Sequence, residues 1–143
     1  MDFGATYDGW HSDMTRTVCV GKPSDKMKSV YETVLTAQLT ALDAVKAGMS
    51  GKALDKIARD IITEAGYGDN FGHSLGHGVG VEIHESPYAS PSREDILPEN
   101  SIVTVEPGIY LEGKFGVRIE DFVVVTENGC INMTKAPKEL ICL

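Results

Sequence analysis

The sequence has little of what marks secreted, membrane-spanning or nucleic-acid-binding proteins. Its three cysteines, Cys19, Cys130 and Cys142, form no CxxC pair, so we expect no disulfide framework and a reducing, cytoplasmic setting. No apolar run reaches the length of a membrane span, and no signal-peptide pattern opens the chain. Lysine and arginine total 13 against 21 acidic residues, and the net charge of −8 disfavours nucleic acid and anionic membranes as partners.

The remaining composition is that of an ordinary globular protein. The chain has 143 residues, of which 42% are apolar, so we predict a single domain spanning 1–143 with a core of its own. Apolar residues at helical spacing predict helices over 24–47 and 51–65, with Gly48 and Gly66 at their ends. Nothing on these helices indicates chemistry, and we interpret them as scaffold. The first apolar stripe comprises Met27, Val30, Tyr31, Val34, Leu35, Leu39, Leu42 and Val45.

Strand patterns lie on both sides of the two helices. Residues 2–7 and 10–18 flank Asp8-Gly9, which is a strong hairpin signal. After the helices, 88–100 is polar and contains proline, and we interpret it as a loop. Short strands are predicted over 102–105, 109–111 and 130–133, and a longer one over 115–126.

The segment 71–87, FGHSLGHGVGVEIHESP, is the centre of the sequence. It holds His73, His77 and His84 within twelve positions, interleaved with glycines. Histidine is the commonest metal ligand and the usual acid or base near neutral pH, and glycine lets a backbone approach a ligand closely. A single histidine is more often structural, but three in this setting indicate a functional site.

The first hairpin carries two aspartates at positions where aspartate is unusual. A two-residue or four-residue loop at Asp8-Gly9 places Asp2 and Asp13 on one face as opposite or diagonal neighbours. A three-residue loop places them on opposite faces and excludes a shared metal. The alternative interpretation is a pair of solvated aspartates on an exposed edge.

A second hairpin presents two glutamates. If Gly113 is the centre of its turn, Glu106 and Glu120 face each other. Facing glutamates repel, so they need a cation between them, a shared proton or full exposure. Their apolar neighbours argue against full exposure, and Arg118 is available to clamp a carboxylate from outside.

Four carboxylates and one imidazole indicate a particular kind of metal site. Structural zinc sites prefer cysteine and histidine, and no EF-hand pattern is present. Oxygen-rich ligation with one histidine suits two divalent ions, most simply Mn²⁺, with Co²⁺ or Zn²⁺ as alternatives. Paired metal ions activate water and polarise a carbonyl group, which is the chemistry of hydrolysis.

At these motifs the sequence resembles a known family. The Asp2 and Asp13 spacing, GHGVGVEIHESP, VEPGIY and GVRIEDFVVVT resemble the pita-bread metallopeptidases, which include aminopeptidase P, prolidase and methionine aminopeptidase. The resemblance covers nearly the whole chain. It implies an α+β fold, with a curved antiparallel sheet and helices on its outer face. The family has two pseudo-symmetric halves, and most of the first is expected to be missing here.

The resemblance also implies roles for individual residues. Asp2 would bind one metal ion, Asp13 and Glu120 would bridge both, and His77 and Glu106 would complete the second. Glu106 would also carry a proton, Arg118 would orient Asp2, His84 would contact the substrate or its tetrahedral intermediate, and His73 would line the substrate pocket.

The segment Arg118-Ile119-Glu120-Asp121 resembles the proline-specific branch of the family. It favours a peptide substrate with proline at the second position, cleaved by an Xaa-Pro aminopeptidase, with a prolidase (Xaa-Pro dipeptidase) as the alternative. A non-catalytic module of the same fold is the competing class, although inactive relatives generally lose ligands and this chain keeps all five. We expect the chain to form a homo-oligomer or to depend on the missing first half.

Overall fold

The computed structural model describes residues 1–143 as two α-helices, a 3₁₀ turn at Gly68–Asn70 and thirteen short strands. The helices are α1 (Asp25–Ala44) and α2 (Gly51–Glu64). Neither is long and apolar enough to cross a membrane. In chain order the strands are β1 (Asp2–Phe3), β2 (Thr6–Tyr7), β3 (Trp10–His11), β4 (Met14–Thr15), β5 (Val18–Cys19), β6 (Gly76–Gly78), β7 (Glu85–Ala89), β8 (Ile102–Val105), β9 (Gly108–Leu111), β10 (Phe115–Arg118), β11 (Asp121–Thr126), β12 (Gly129–Asn132) and β13 (Ile141–Cys142).

The helix boundaries follow from local capping. Ser24 precedes α1, and its hydroxyl accepts a hydrogen bond from the Met27 N–H. The predicted end at residue 47 is wrong, because α1 stops at Ala44 and the chain turns before Gly48, which has φ +78°. The predicted end of α2 is late by one residue, and Gly66, with φ +85°, reverses the chain just after it.

The core lies between the helices and the main sheet. This sheet has the order β12-β11-β8-β6-β7, and all its pairings are antiparallel. Helix α1 contacts β8, β9, β10 and β12, and α2 contacts β7. In the predicted first apolar stripe, Val30, Tyr31, Val34, Leu42 and Val45 are buried, Met27 and Leu35 are half-buried, and Leu39 is 44% exposed.

The first hairpin has the two-residue loop. Asp8 and Gly9 both have positive φ, 49° and 82°, as this kind of tight turn requires. Tyr7 pairs with Trp10 and, in the same register, Asp2 pairs with Thr15. Asp2 and Asp13 are therefore diagonal neighbours on one face of the hairpin.

The second hairpin keeps the predicted register but not the predicted continuity. Phe115 pairs with Leu111 and Asp121 pairs with Val105, as a turn centred on Gly113 requires. The single strand predicted over 115–126 is nevertheless wrong, because it is interrupted between β10 and β11. At the interruption the backbone N–H of Glu120 donates to Thr15, on a strand of the first hairpin.

The loop predicted over 88–100 is wrong at its start. Strand β7 extends to Ala89 and pairs with Gly76 in the histidine segment. The sequence did not predict this pairing, because Ser86-Pro87 disrupts the strand pattern.

The continuous strands predicted over 2–7 and 10–18 are wrong, because the structure divides them into β1 and β2 and into β3, β4 and β5. The strand predicted over 102–105 has the observed bounds, and those predicted over 109–111 and 130–133 differ by one residue.

Candidate metal centre

The five predicted ligands line one cavity. Its volume is about 340 Å³, and it lies where the first hairpin, the histidine segment and the divided second hairpin meet. The residues that line it are Asp2, Gly4, Asp13, His77, Ile83, His84, Glu106, Arg118 and Glu120. Chain segments more than 100 residues apart in sequence therefore bring their polar side chains to one place.

His77 is held in the orientation that a metal ligand needs. Its Nδ1 lies 3.0 Å from the carbonyl oxygen of Gly78, and because that oxygen only accepts, Nδ1 carries the proton. Its Nε2 lies 3.2 Å from Glu106 Oε1 and 3.7 Å from Asp13 Oδ2. Burial lowers the pKa of His77, but the hydrogen bond with Glu106 and the Asp13 charge outweigh burial and raise it. Nε2 therefore faces a site that favours positive charge.

Glu120 is the most deeply buried of the candidate ligands. It is 2% exposed, and its Oε2 accepts a hydrogen bond of 2.6 Å from the Thr15 hydroxyl. Burial, together with the negative charge of Glu106, raises the pKa of Glu120 to about 8. Burial also raises the pKa of Asp13, and neighbouring Asp2 and Glu106 add to that effect. Burial and the neighbouring negative charges therefore disfavour the ionised forms of Glu120 and Asp13.

This donor set fits divalent metal ions. One ligand atom from each of Asp13, His77 and Glu120 lies within 4.8 Å of the other two. Glu106 is within reach of the same imidazole nitrogen, and Asp2 lies at the opposite wall beside Arg118. Buried carboxylates that repel one another are stabilised by a cation, and oxygen-rich sites with one imidazole suit Mn²⁺ and similar ions.

Two threonines that the sequence analysis missed hold the glutamates. The Thr104 hydroxyl accepts a hydrogen bond from the His77 N–H and donates to Glu106 Oε1, each at 3.0 Å. The Thr15 hydroxyl accepts from Arg118 Nε at 3.0 Å while donating to Glu120. The signal for Thr104 was its position two residues before Glu106, since alternate residues of a strand share a face.

Arg118 connects both sides of the centre. Its Nη2 donates to Asp2 Oδ2, and its Nη1 donates to the Tyr110 hydroxyl oxygen at 3.3 Å. Through Thr15, the same guanidinium supports Glu120. Arg118 therefore contacts Asp2 as expected, and it also fixes groups that the sequence had not linked to it.

His73 and His84 lie at a second, adjoining cavity of about 430 Å³. His73 Nδ1 is 2.8 Å from the Ser74 carbonyl, so it donates there, and Nε2 accepts from the Tyr110 hydroxyl at 2.9 Å. The exposed His84 ring stacks at a tilt against His77, with 4.2 Å between ring centroids. His84 lines both cavities and is available to a molecule that occupies either.

Helix α2 anchors the backbone of the histidine segment through one ion pair. Asp55 is 1% exposed and pairs with Arg59 at 2.7 Å. Asp55 Oδ1 also accepts from the Leu75 N–H, and Arg59 donates to the carbonyls of Phe71 and His73. One ion pair on the helix therefore fixes the backbone that leads into His77. Both residues looked like ordinary helix-surface charges in the sequence.

An oxygen-rich metal centre on an antiparallel sheet backed by two helices defines a pita-bread metal-binding domain. The chain belongs to metallopeptidase family M24, whose model matches residues 1–127. It is 54% identical to Xaa-Pro dipeptidase from Pyrococcus furiosus over 141 residues, which are 99% of this chain and 40% of that protein.

Solved structures agree with this assignment. The X-Pro aminopeptidase from Thermotoga maritima MSB8 superposes with a TM-score of 0.96 at 54% identity, covering 99% of this chain and 40% of that one. The Xaa-Pro dipeptidase from Bacillus anthracis has a TM-score of 0.97 at 54% identity, with the same coverage. The chain spans about 40% of the length of these relatives, so the predicted pita-bread fold is confirmed and is partial.

Proposed function

We propose that this chain supplies most of the catalytic centre of a metallopeptidase that hydrolyses Xaa-Pro dipeptides. One observation carries the proposal, namely the convergence of Asp2, Asp13, His77, Glu106 and Glu120 on a single cavity. The reaction type follows from the donor set, which suits two divalent ions, with Mn²⁺ as the first candidate. Divalent ions bound there would supply positive charge that activates water and polarises the scissile carbonyl.

Substrate length separates two versions of this function. The motif at residues 118–121 favours cleavage of Xaa-Pro bonds, for which an Xaa-Pro aminopeptidase is the first interpretation from the sequence and a dipeptidase the alternative. The names of several relatives, among them Xaa-Pro dipeptidases of Pyrococcus horikoshii and Lactobacillus delbrueckii, favour the alternative. One close structural relative is named an X-Pro aminopeptidase. We therefore propose dipeptides as the substrates and make substrate length part of the test.

The protein groups have separate tasks in this proposal. Glu106 has Oε1 fixed by Thr104, and its Oε2 faces the cavity 4.0 Å from Arg118 Nε. This carboxyl group takes up a proton and delivers it to the departing proline nitrogen. His84 stabilises the developing charge on the scissile carbonyl oxygen from the cavity rim, and His73 forms one wall of the substrate pocket. Arg118 keeps the Asp2 carboxylate directed into the cavity.

The test measures metal content and substrate length together. The chain is titrated with Mn²⁺ by calorimetry and assayed with Ala-Pro and Ala-Pro-Ala, alone and fused after the preceding part of the Pyrococcus furiosus dipeptidase. We expect two Mn²⁺ per chain, and Mn²⁺-dependent hydrolysis by the fusion with a higher kcat/KM for Ala-Pro. Fewer than two ions would overturn the metal centre, and preference for Ala-Pro-Ala would overturn the dipeptidase assignment.

A further inference from the structure

Arg16 is a buried arginine in which every N–H donor has an acceptor. Its side chain is 7% exposed, and a guanidinium group has five donors. Such a set fixes the positions of all the groups that it contacts, because none can move without leaving a buried donor unpaired. The contacts are Nε to Pro137 O at 2.9 Å, Nη1 to Thr15 O at 2.9 Å and Glu120 O at 2.6 Å, and Nη2 to Asp121 Oδ1 at 2.7 Å and Ala136 O at 2.9 Å.

These acceptors belong to three parts of the chain that are remote in sequence. Thr15 and Glu120 form an isolated antiparallel bridge, in which the Glu120 N–H donates to Thr15 O at 3.1 Å. Arg16 Nη1 donates to both carbonyl oxygens of this bridge. The guanidinium therefore sets how far the backbone of Glu120 lies from the hairpin that carries Asp13.

The C-terminal segment contacts Asp121, which is itself an acceptor of Arg16. Asp121 is fully buried, and besides Arg16 it pairs with Lys138 Nζ at 2.7 Å and Asn132 Nδ2 at 2.6 Å. Burial raises the pKa of Asp121, but the hydrogen bonds from Lys138, Asn132 and Arg16 outweigh burial and lower it. Lys138 also donates to Gln38 of α1 at 2.9 Å. Residues 136–138 are thus locked to both the helix and the sheet.

We propose that Arg16 and the backbone carbonyls of residues 136 and 137 form a positioning device for Glu120. The inference rests on the proposed two-metal centre, in which the Glu120 carboxylate reaches both ions. A bridging carboxylate tolerates little displacement, and residues behind a ligand commonly control metal affinity. Residues 136 and 137 lie beyond residue 127, where the family match ends. In this proposal the C-terminal segment therefore helps to position a metal ligand.

The first test replaces the guanidinium group of Arg16 but keeps its positive charge. Lysine at this position cannot reach five acceptors, so in Arg16→Lys we expect the second Mn²⁺ to bind roughly 10–100-fold more weakly. Electron paramagnetic resonance should then change from a spin-coupled pair to isolated Mn²⁺ at equal metal loading. In the metal-free chain, hydrogen exchange at the Glu120 amide should become faster, because its bond to Thr15 is no longer braced.

Two variants separate geometry from charge and stability. Lys138→Met removes a cation from the same Asp121 carboxylate without touching the Glu120 backbone, and we expect the coupled pair to persist. Val45→Ala truncates a core residue that is 0% exposed, and it controls for stability lost elsewhere. If Arg16→Lys fails to fold, Asp121→Asn takes its place. It removes the negative charge that Arg16 Nη2 contacts, and it should also weaken binding of the second Mn²⁺.

The outcomes distinguish this inference from the proposed function. If the unmodified chain shows no coupled Mn²⁺ pair, the two-metal function fails, and Glu120 amide exchange in Arg16→Lys still decides whether Arg16 braces that residue. Unchanged exchange and unchanged metal binding in Arg16→Lys would overturn the inference. Equally weak binding of the second Mn²⁺ in Lys138→Met would also overturn it, because the five hydrogen bonds of Arg16 would then have no special effect on metal binding.

Discussion

Glu106 and Glu120 face each other across one hairpin, yet their backbone amides donate to different parts of the chain. The Glu106 N–H donates to Leu75 O in the histidine segment, and the Glu120 N–H donates to Thr15 O in the first hairpin. The hairpin ladder is therefore open at these two residues, although it keeps one register on both sides. The opening directs both carboxylates into one cavity, where they still repel each other and where a cation between them would remove the repulsion.

Glu120→Gln should stabilise the metal-free chain at alkaline pH. The pKa of Glu120 is raised from 4.5 to about 8. Between pH 4.5 and pH 8, Glu120 therefore keeps a proton in the folded state that it has lost in the unfolded state. The resulting stability is complete below pH 4.5 and disappears as pH rises through 8. Glutamine does not titrate, so we expect the variant to be more stable at pH 9, on the order of 3 kcal/mol. Chemical denaturation in chelator at pH 5 and 9 measures this difference.

The control for this prediction is Glu112→Gln, which changes an exposed glutamate at the hairpin turn. It should leave the pH dependence of unfolding unchanged. With Mn²⁺ present, Glu120→Gln should bind at most one ion tightly, since an amide is a poor bridging ligand. A large loss of metal-free stability in Glu120→Gln would instead assign Glu120 a structural role with Thr15 and Arg118.

His84→Ala should slow catalysis without loss of metal. The His84 ring lies against His77 and lines both cavities, and it is exposed at their rim. We expect unchanged Mn²⁺ stoichiometry by calorimetry and a decrease in kcat of roughly 10²–10⁴, as for a positioned acid–base group. Loss of one Mn²⁺ from the variant would identify His84 as a ligand instead.

The sequence predicted which polar residues meet at the cavity better than it predicted their surroundings. Asp2, Asp13, Glu106 and Glu120 were singled out because two hairpin turns carry clear local signals, and each turn fixes which residues face each other. His77 was singled out by the histidine segment and by the resemblance to the family. The interruption at Glu120 was missed because it depends on pairing with Thr15, and no local pattern encodes a contact between residues 105 positions apart.

The supporting residues were missed for the same physical reason. Arg16, Asp55 and Arg59 look like ordinary surface charges in sequence. Only the fold buries Arg16 and Asp55, and half-buries Arg59, beneath segments that carry the site. Helix periodicity predicted the core face of α1 and α2 correctly at most positions. It could not show that Asp55, on the buried face of α2, is satisfied by a backbone N–H from the histidine segment.

Asp55→Asn should be far more costly than the equivalent change one turn later. Asp55 is 1% exposed and accepts bonds from Arg59 and the Leu75 N–H, so its loss of charge should cost about 2–3 kcal/mol. Asp60→Asn removes an exposed partner of Lys56 at the same i,i+4 spacing, and should cost less than about 0.5 kcal/mol. Denaturant unfolding of both variants makes the comparison, and equal losses would show that the buried pair has no special role.

Thr104→Val should weaken metal binding through two ligands at once. Valine keeps the shape of threonine but leaves the His77 N–H without its acceptor and frees Glu106 Oε1. We expect a stability loss of about 1–3 kcal/mol and roughly 10–100-fold weaker Mn²⁺ binding. The matched control is Thr40→Val, whose hydroxyl donates to Thr36 O on the exposed face of α1. If both variants bind Mn²⁺ equally well, the Thr104 hydroxyl does not orient the ligands.

The first hairpin should make the isolated chain self-associate. Tyr7 and Trp10 pair across it and are 85% and 59% exposed, and Phe3 beside them is 55% exposed. Strands β2 and β3 form a sheet of only two strands with no neighbour on either side, and exposed apolar side chains that lie together are prone to association. We therefore expect light scattering to show concentration-dependent assembly that Trp10→Gln weakens about tenfold, or roughly 1.4 kcal/mol. Val20→Gln, which changes an 85% exposed residue outside the hairpin, should have no such effect. A chain that remains monomeric at all concentrations would show that these side chains are tolerated in water and do not drive association.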